Sequence, residues 1–221
     1  MIFIIQNEPE VPPGLLIPLA ERARVEIKIL RAWEEPLPER IGRGDGAVVL
    51  GGTMCGLDTE KHPFLTEVTA FLRRTAEQER PLLGICLGGQ LLARATGGRL
   101  FRNSCGEKGV VTVRRTGAGD PLFASLPERF PVVSFHDDSF APPSGAAVLA
   151  ASEACPFQAF RSGRSAYGLQ FHPEADGALL ASWCEEEEQA ARMALGYAAQ
   201  AEAIESNARR LFDNFLALVR E

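Results

Sequence analysis

The chain has 221 residues, 46% of them apolar and 24% charged, with 23 lysines and arginines against 29 aspartates and glutamates. That is the mixture of a globular protein long enough to bury a full core, not of a disordered chain. A net charge of −6 argues against a surface built to grip nucleic acid or an anionic membrane.

In chain order, Ile2–Ile5 is a short apolar run closed by polar residues and Pro9, which predicts a central, fully buried strand. Leu15, Leu16, Leu19 and Ala23 follow helical spacing, with Pro18 fitting only near the helix start. Val25, Ile27 and Ile29 alternate with charged residues as a second strand, and Ala47–Leu50 is a third, stopped by Gly51-Gly52. The glycine-rich stretch Gly42–Gly46 precedes a strand rather than opening a helix, so it reads as a turn and not as a phosphate loop. Phe64, Leu65, Val68, Phe71 and Leu72 mark a helix entered through Pro63. Leu82–Ile85 is a fourth strand, and Leu91, Leu92 and Ala95 lie on the helix after it, ended by Gly97-Gly98. This half has the alternation of an α/β fold: an open, mostly parallel sheet with helices on both faces.

From about residue 110 the texture changes. Val111/Val113, Pro131–Phe135, Ala147–Ala150, Phe157–Phe160 and Tyr167–Phe171 predict short strands with few helices between them, hence antiparallel additions to the sheet. Helices return over about 177–221, with Ile204, Ala208, Leu211, Phe212, Phe215, Leu216 and Val219 on one apolar stripe. The Glu185–Glu188 run reads as a solvated helix face. No repeat or linker divides the chain, so 1–221 reads as a single domain.

Five cysteines, at 55, 86, 105, 155 and 184, cannot all pair and show no CxxC spacing, which points to free thiols in a cytoplasmic setting and to no zinc site. The uncharged stretches 46–57 and 81–93 fall short of the roughly 18 apolar residues a bilayer span needs. Met1–Ile5 lacks the basic lead of a signal peptide. The expectation is a cytoplasmic protein without membrane attachment.

The segment Gly84-Ile85-Cys86-Leu87-Gly88-Gly89-Gln90 follows a buried strand and opens a helix. A nucleophile on so sharp a strand-to-helix turn is lifted clear of the sheet, and small residues beside it are required. The amides at the helix start point partial positive charge at the sulfur. Cys55, Cys105, Cys155 and Cys184 have no such surroundings and read as buried small hydrophobes. A cysteine nucleophile needs a base, and a group to orient that base. His62, at a helix start, reads as a surface residue. His172 sits in Phe171-His172-Pro173-Glu174, where Pro173 keeps it out of the helical region and Glu174, two residues on, projects to the same side. His172 is therefore the preferred base, with His136 the alternative, otherwise a loop residue lining the pocket. For an oxyanion, Gly52 and Leu87 offer backbone N–H donors. Gly51-Gly52, Cys86 and His172 all fall just past the carboxyl ends of strands, where open α/β sheets bind ligands.

With these residues in view, the chain resembles the class I glutamine amidotransferases. Leu50-Gly51-Gly52, the Gly84–Gln90 elbow and Phe171–Glu174 match the family's three blocks in order. Arg102-Asn103, Gly106-Glu107, Phe135-His136-Asp137 and Ala208–Phe215 are similar to the stand-alone branch related to the glutaminase part of GMP synthase, whereas Thr53 and Ser104-Cys105 depart from its usual pattern. The resemblance implies that Cys86 attacks the side-chain amide of glutamine and that Gly52 and Leu87 hold the oxyanion. It implies further that His172, oriented by Glu174, protonates departing ammonia and then activates water. It places Gly51, Gly52, Gln90, His136 and Asp137 around the substrate. No cofactor is implied. The chain carries no phosphate loop or second domain to activate an acceptor, so ammonia is expected to pass to a separate synthetase or be released. Docking is expected on the rim formed by Ser134–Phe140 and Asn103–Lys108. Two other readings remain open at this point: a γ-glutamyl peptide hydrolase with the same triad, and a non-catalytic regulatory module.

Overall fold

A computed structural model describes residues 1–117 and 119–220. Eleven strands and six α-helices run in the order β1 (Ile2–Gln6), α1 (Leu16–Ala23), β2 (Ile27–Arg31), β3 (Gly46–Val49), α2 (Phe64–Glu77), β4 (Leu82–Ile85), α3 (Leu87–Ala95), β5 (Arg99–Phe101) and β6 (Glu107–Arg115). They continue with β7 (Arg129–His136), β8 (Ser139–Ala141), β9 (Ala147–Ala151), β10 (Ala159–Ser162), β11 (Ala166–Leu169), α4 (Gly177–Ser182), α5 (Glu187–Ala198) and α6 (Ala201–Arg220).

Nine strands form one open sheet in the order β2-β1-β3-β4-β11-β10-β9-β6-β7. Pairing is parallel from β2 through β11 and antiparallel from β11 through β7. The α/β class expected from the sequence is what the chain adopts, with the antiparallel additions making up half of the sheet. β5 and β8 form a separate two-stranded ribbon.

The alternation of strand side chains divides the core into two layers. Ile2 and Ile4 of β1, Val48 of β3 and Leu83 and Ile85 of β4 face α1 and the Leu211, Phe212, Phe215 and Leu216 stripe of α6. Ile5, Ala47, Val49 and Leu82 face the other way, onto Leu65, Val68, Phe71 and Leu72 of α2 and Leu91 and Leu92 of α3. The C-terminal stripe thus has its partner: it covers one face of the parallel half. A third cluster, with Val133, Ala175, Leu180, Met193, Tyr197 and Ile204, packs α4 and α5 against β7. Glu185–Glu188 are all exposed, as their charge requires, and Glu187 and Glu188 occupy the first turn of α5, where negative charge suits the helix dipole.

Several local expectations change. β2 begins at Ile27, leaving Val25 outside it, and it is the edge strand of the sheet with Ile29 exposed. β10 begins at Ala159, two residues later than the apolar run suggests, where the register with β9 shifts. His136 closes β7 rather than sitting in a loop. Of the four cysteines expected to be buried, only Cys155 is; Cys55, Cys105 and Cys184 are partly exposed in loops, where little apolar surface is available to cover them. His62, expected on the surface, is half-buried and meets the edge of Phe64.

Phe215 is fully buried between α6 and the strand face that includes Gly46. Phe215→Ala is expected to cost about 3–5 kcal/mol in a urea unfolding titration; a loss below about 1 kcal/mol would mean that α6 is not part of the core.

Candidate active site

β3, β4 and β11 are consecutive in the sheet and parallel, with Val49 beside Gly84, and Gly84 beside Gly168. Their carboxyl ends therefore emerge side by side. Gly51-Gly52 follows β3, Cys86 follows β4 and His172 follows β11, so residues far apart in sequence meet at one sheet edge.

Cys86 stands between β4 and α3 with φ 48° and ψ −108°, a left-handed backbone that a non-glycine residue adopts only at a cost of about 1–3 kcal/mol. The turn is held by Cys86 N–H donating to the Leu169 carbonyl at 2.8 Å and Gln90 N–H donating to the Cys86 carbonyl at 2.9 Å. It also needs its glycines. A Cβ on Gly88 would lie 2.1 Å from the Val49 carbonyl oxygen, one on Gly84 would lie 2.4 Å from the Gly88 oxygen, and one on Gly89 would lie 2.5 Å from that of Leu169. All three contacts are with backbone, so nothing flexible can yield.

His172 donates from Nδ1 to Glu174 Oε1 at 2.7 Å, with both residues buried. The segment carrying them is anchored at each end: His172 N–H donates to the Val133 carbonyl and Leu15 N–H to the Glu174 carbonyl, each at 2.8 Å. Burial by itself lowers the imidazole pKa, but the negative charges of Glu174 and Cys86 outweigh it and push the imidazole up to about 10. The Nε2–Cys86 contact counts in this electrostatic balance yet is too loose for a hydrogen bond, since Nε2 has no partner of bonding geometry among the described residues. Nucleophile–base contacts are commonly long until substrate tightens them. Gly51 lies against the pair: a Cβ there would be 3.0 Å from His172 Cε1 and 3.5 Å from Cys86 Cβ.

Leu87 opens α3, so its N–H has no intrahelical acceptor, and the N–H of Gly52 has none among the described residues. The loop bearing Gly52 is fixed from two sides. Asn7 Nδ2 donates to the Leu50 carbonyl at 2.7 Å and the Gly51 carbonyl at 3.3 Å, and Thr53 donates from both N–H and Oγ1 to the Glu8 carboxylate.

These groups open into one cavity of about 520 Å³, which includes Gly52, Cys86, Gln90, His136, Asp137 and His172 in its lining. Gln90 donates to the Asp138 carbonyl at 3.2 Å. His136 is buried, with Nδ1 3.0 Å from the same carbonyl and Nε2 3.6 Å from Glu107, which also accepts from Gln158. The Asp137 side chain points outward to Lys108 at 2.9 Å. Across the mouth, Arg102 grips Asp58 through two bonds of 2.9 and 3.3 Å and holds that carboxyl below its ordinary pKa. Cys55 shares the cavity, but burial, reinforced by a hydrogen bond with Asp138, pushes its thiol up, and burial pushes Cys155 to about 12. Neither has the surroundings of an activated thiol.

Three neighbours were not singled out from the sequence. Gln170 Nε2 lies 3.7 Å from the Cys86 sulfur, Asn7 supports the Gly51 turn, and Trp183 packs at a tilt against His172, 4.7 Å between ring centroids. Gln170 precedes Phe171-His172 and could have been suspected from that position; nothing in the local sequence marks Asn7 or Trp183.

A cysteine elbow thus opens into a cavity beside a buried His–Glu pair at the carboxyl edge of a parallel sheet. The sequence pattern of the glutamine amidotransferase class-I family matches residues 16–181, and the chain belongs to that family. It is 38% identical over 108 residues to the glutamine-hydrolyzing GMP synthase subunit of Thermococcus kodakarensis, covering 48% of this chain and 57% of that protein. It is 30% identical over 141 residues to the glutamine-hydrolyzing GMP synthase of Streptomyces avermitilis, covering 63% of this chain but only 26% of the longer protein. The match thus spans only part of either relative. The fold matches a glutamine amidotransferase from Thermotoga maritima with a TM-score of 0.87 at 25% identity, over 97% of both chains.

The raised His172 pKa has a consequence for stability. A folded pKa of about 10 against an ordinary 6.5 means that the imidazolium–Glu174 pair stabilises the fold fully below about pH 6.5 and loses that contribution as pH rises toward 10. Glu174→Gln should therefore destabilise most at pH 6, with the deficit shrinking between pH 6.5 and 10 in denaturant titrations. A deficit that grows with pH contradicts this charge assignment.

Proposed function

We propose that the chain is a glutaminase of the amidotransferase type, acting as one domain over 1–221 and giving glutamate and ammonia for a separate acceptor enzyme. The observation that carries this reading is the convergence on one cavity of the Cys86 elbow, the His172–Glu174 pair and the amides of Gly52 and Leu87.

The Cys86 sulfur attacks the side-chain amide carbon of glutamine, and the amides of Gly52 and Leu87 take the oxyanion. His172, already protonated, gives its Nε2 proton to the leaving nitrogen, so that ammonia departs and a γ-glutamyl thioester remains on Cys86. The neutral imidazole then removes a proton from water as the water attacks the thioester, releasing glutamate and restoring the thiolate–imidazolium pair. Glu174 fixes the tautomer and orientation of the ring, with Nδ1–H pointing to its carboxylate. Gln90, His136, Asp137 and Gly52, which line the cavity, wall the amino-acid end of the substrate, with Gly51 packed behind them against His172. His136 does so by bracing the Asp138 carbonyl rather than by acting as base, since it is tied to that carbonyl and to Glu107.

A cysteine glutaminase of this kind needs no cofactor, and the reading assigns none. It assumes a cytoplasmic setting. No helix among the described residues is long and apolar enough to cross a membrane. A second reading has one observation in its favour: a cavity of about 520 Å³ lies in the range of sites that take drug-sized ligands and exceeds what one free amino acid fills. That room suits a γ-glutamyl peptide, or a site completed by a docked synthetase.

Cys86→Ala is expected to lower glutamine hydrolysis by about 10³-fold or more, and His172→Asn nearly as far, because nucleophile and base act as a unit. His136→Asn should act chiefly on KM. Steady-state ammonia release checks all three; an inactive His136→Asn beside an active His172→Asn would require a different base.

Docking of a synthetase on the Asn103–Lys108 and Ser134–Phe140 rim is expected to stimulate turnover at least about tenfold, a barrier change of only about 1.4 kcal/mol. The comparison is ammonia release with and without proteins co-purified from the native host, using free glutamine and γ-glutamyl dipeptides. Full unstimulated turnover of the dipeptides with glutamine a poor substrate would favour the peptidase reading.

A further inference from the structure

The His172 ring is held in its own plane by Glu174 at Nδ1 and faces Cys86 from Nε2. The Glu174 hydrogen bond is the one bond that sets the ring's rotation about Cβ–Cγ, since Nε2 has no bonding partner among the described residues. A group in close contact with the ring restricts that rotation further, and Trp183 is such a group. Its indole lies 4.7 Å from the imidazole centroid at an interplanar angle of 53°.

Trp183 is itself anchored. Its Nε1–H donates to the Glu10 carbonyl at 3.1 Å, and Phe135 backs it at 5.7 Å. It caps the C-terminus of α4, a helix pinned at its start by Asp176, which accepts from Leu179 N–H, and along its length by buried Leu180. The indole lines the same cavity as Cys86 and His172. It also lies beyond residues 16–181, the part of the chain that carries the family pattern.

We propose that Trp183 is a positioning residue for His172: its indole fixes the imidazole plane in line with Cys86, keeps water off the ring face, and stabilises the imidazolium through its π surface. An aromatic face within about 6 Å attracts a cation, most strongly when the cation is desolvated, and His172 is almost wholly buried. The inference rests on the reading of His172 as the catalytic base. It extends the site into the C-terminal helices, which otherwise contribute only packing.

The chain has two tryptophans, Trp33 and Trp183, so Trp33→Phe leaves Trp183 as the sole indole and gives a signal that needs no substrate. An imidazolium in contact with an excited indole quenches its emission. Charged or titratable groups around the pair include Glu174 and Cys86 on the imidazole, Glu10, His136, Asp137 and Asp138 on the cavity wall, Cys184 and Tyr197 in the cluster that Trp183 joins, and Lys108 over the Phe135 ring. In Trp33→Phe, emission is expected to rise as pH approaches about 10, and the rise is expected to vanish when His172→Asn is added. Emission indifferent to His172→Asn would overturn the contact. For the reaction, Trp183→Leu should lower kcat by about tenfold with little change in KM and shift the kcat–pH profile to lower pH, while Trp183→Phe restores most of the rate. Wild-type kcat and an unmoved profile in Trp183→Leu would overturn the positioning role. Should Trp183→Leu fail to fold, Trp183→Phe and the emission titration still decide. A wild-type chain inactive on glutamine would count against the glutaminase reading alone, because the emission titration is independent of turnover.

Discussion

The structure turns on one tight place, the backbone at Cys86. A cysteine is held there in a left-handed conformation because the chain must pass from a buried strand into a buried helix within a single residue. Gly84, Gly88 and Gly89 let the helix start come within contact distance of the carbonyls of β3 and β11. Those contacts join three parallel strands and one helix into a block that cannot relax. The same closeness leaves the Leu87 N–H and the sulfur as the groups that project from it. Local strain here is offset by the surrounding packing, and its product is a fixed direction for one side chain.

The other half of the site follows from sheet order. Because β11 returns to pair in parallel with β4, its exit residue emerges beside the elbow. Pro173 and the anchors to Val133 and Leu15 then hold the His172–Glu174 pair against the sheet edge. Burial of these two residues makes their charges matter. In water a carboxylate beside an imidazole shifts its titration little, whereas here the pair is screened from solvent and the imidazolium is retained. The antiparallel half serves the site less directly, placing His136, Glu107 and Gln158 in a buried polar row behind the pocket wall. The C-terminal helices close the remaining side through Trp183.

Much of this was legible in the sequence because it rests on local necessity. Glycines flanking a cysteine after an apolar run, and a His-Pro-Glu block after another, have few physical explanations. The Phe212–Val219 stripe announced a helix that needed a sheet face. What escaped the reading depends on tertiary partners. The strands β5 and β8 are three residues each and pair only with one another, too short to show a period. Asn7 supports the Gly51 turn from the end of the neighbouring strand β1, and Trp183 reaches His172 only because α4 folds back over β7. The four remaining cysteines share one residue type but not one environment. Nothing local distinguishes Cys55, which opens into the cavity, from Cys155, which is sealed in a loop.

The central claim is that Cys86 carries the acyl group during turnover. The direct measurement is acid quench of the wild-type protein during turnover of glutamine, followed by proteolysis and mass spectrometry. The account predicts a γ-glutamyl increment on the peptide that contains Cys86 and on no other. Glutamate formation with no cysteine adduct, or with the adduct on Cys55, would contradict it.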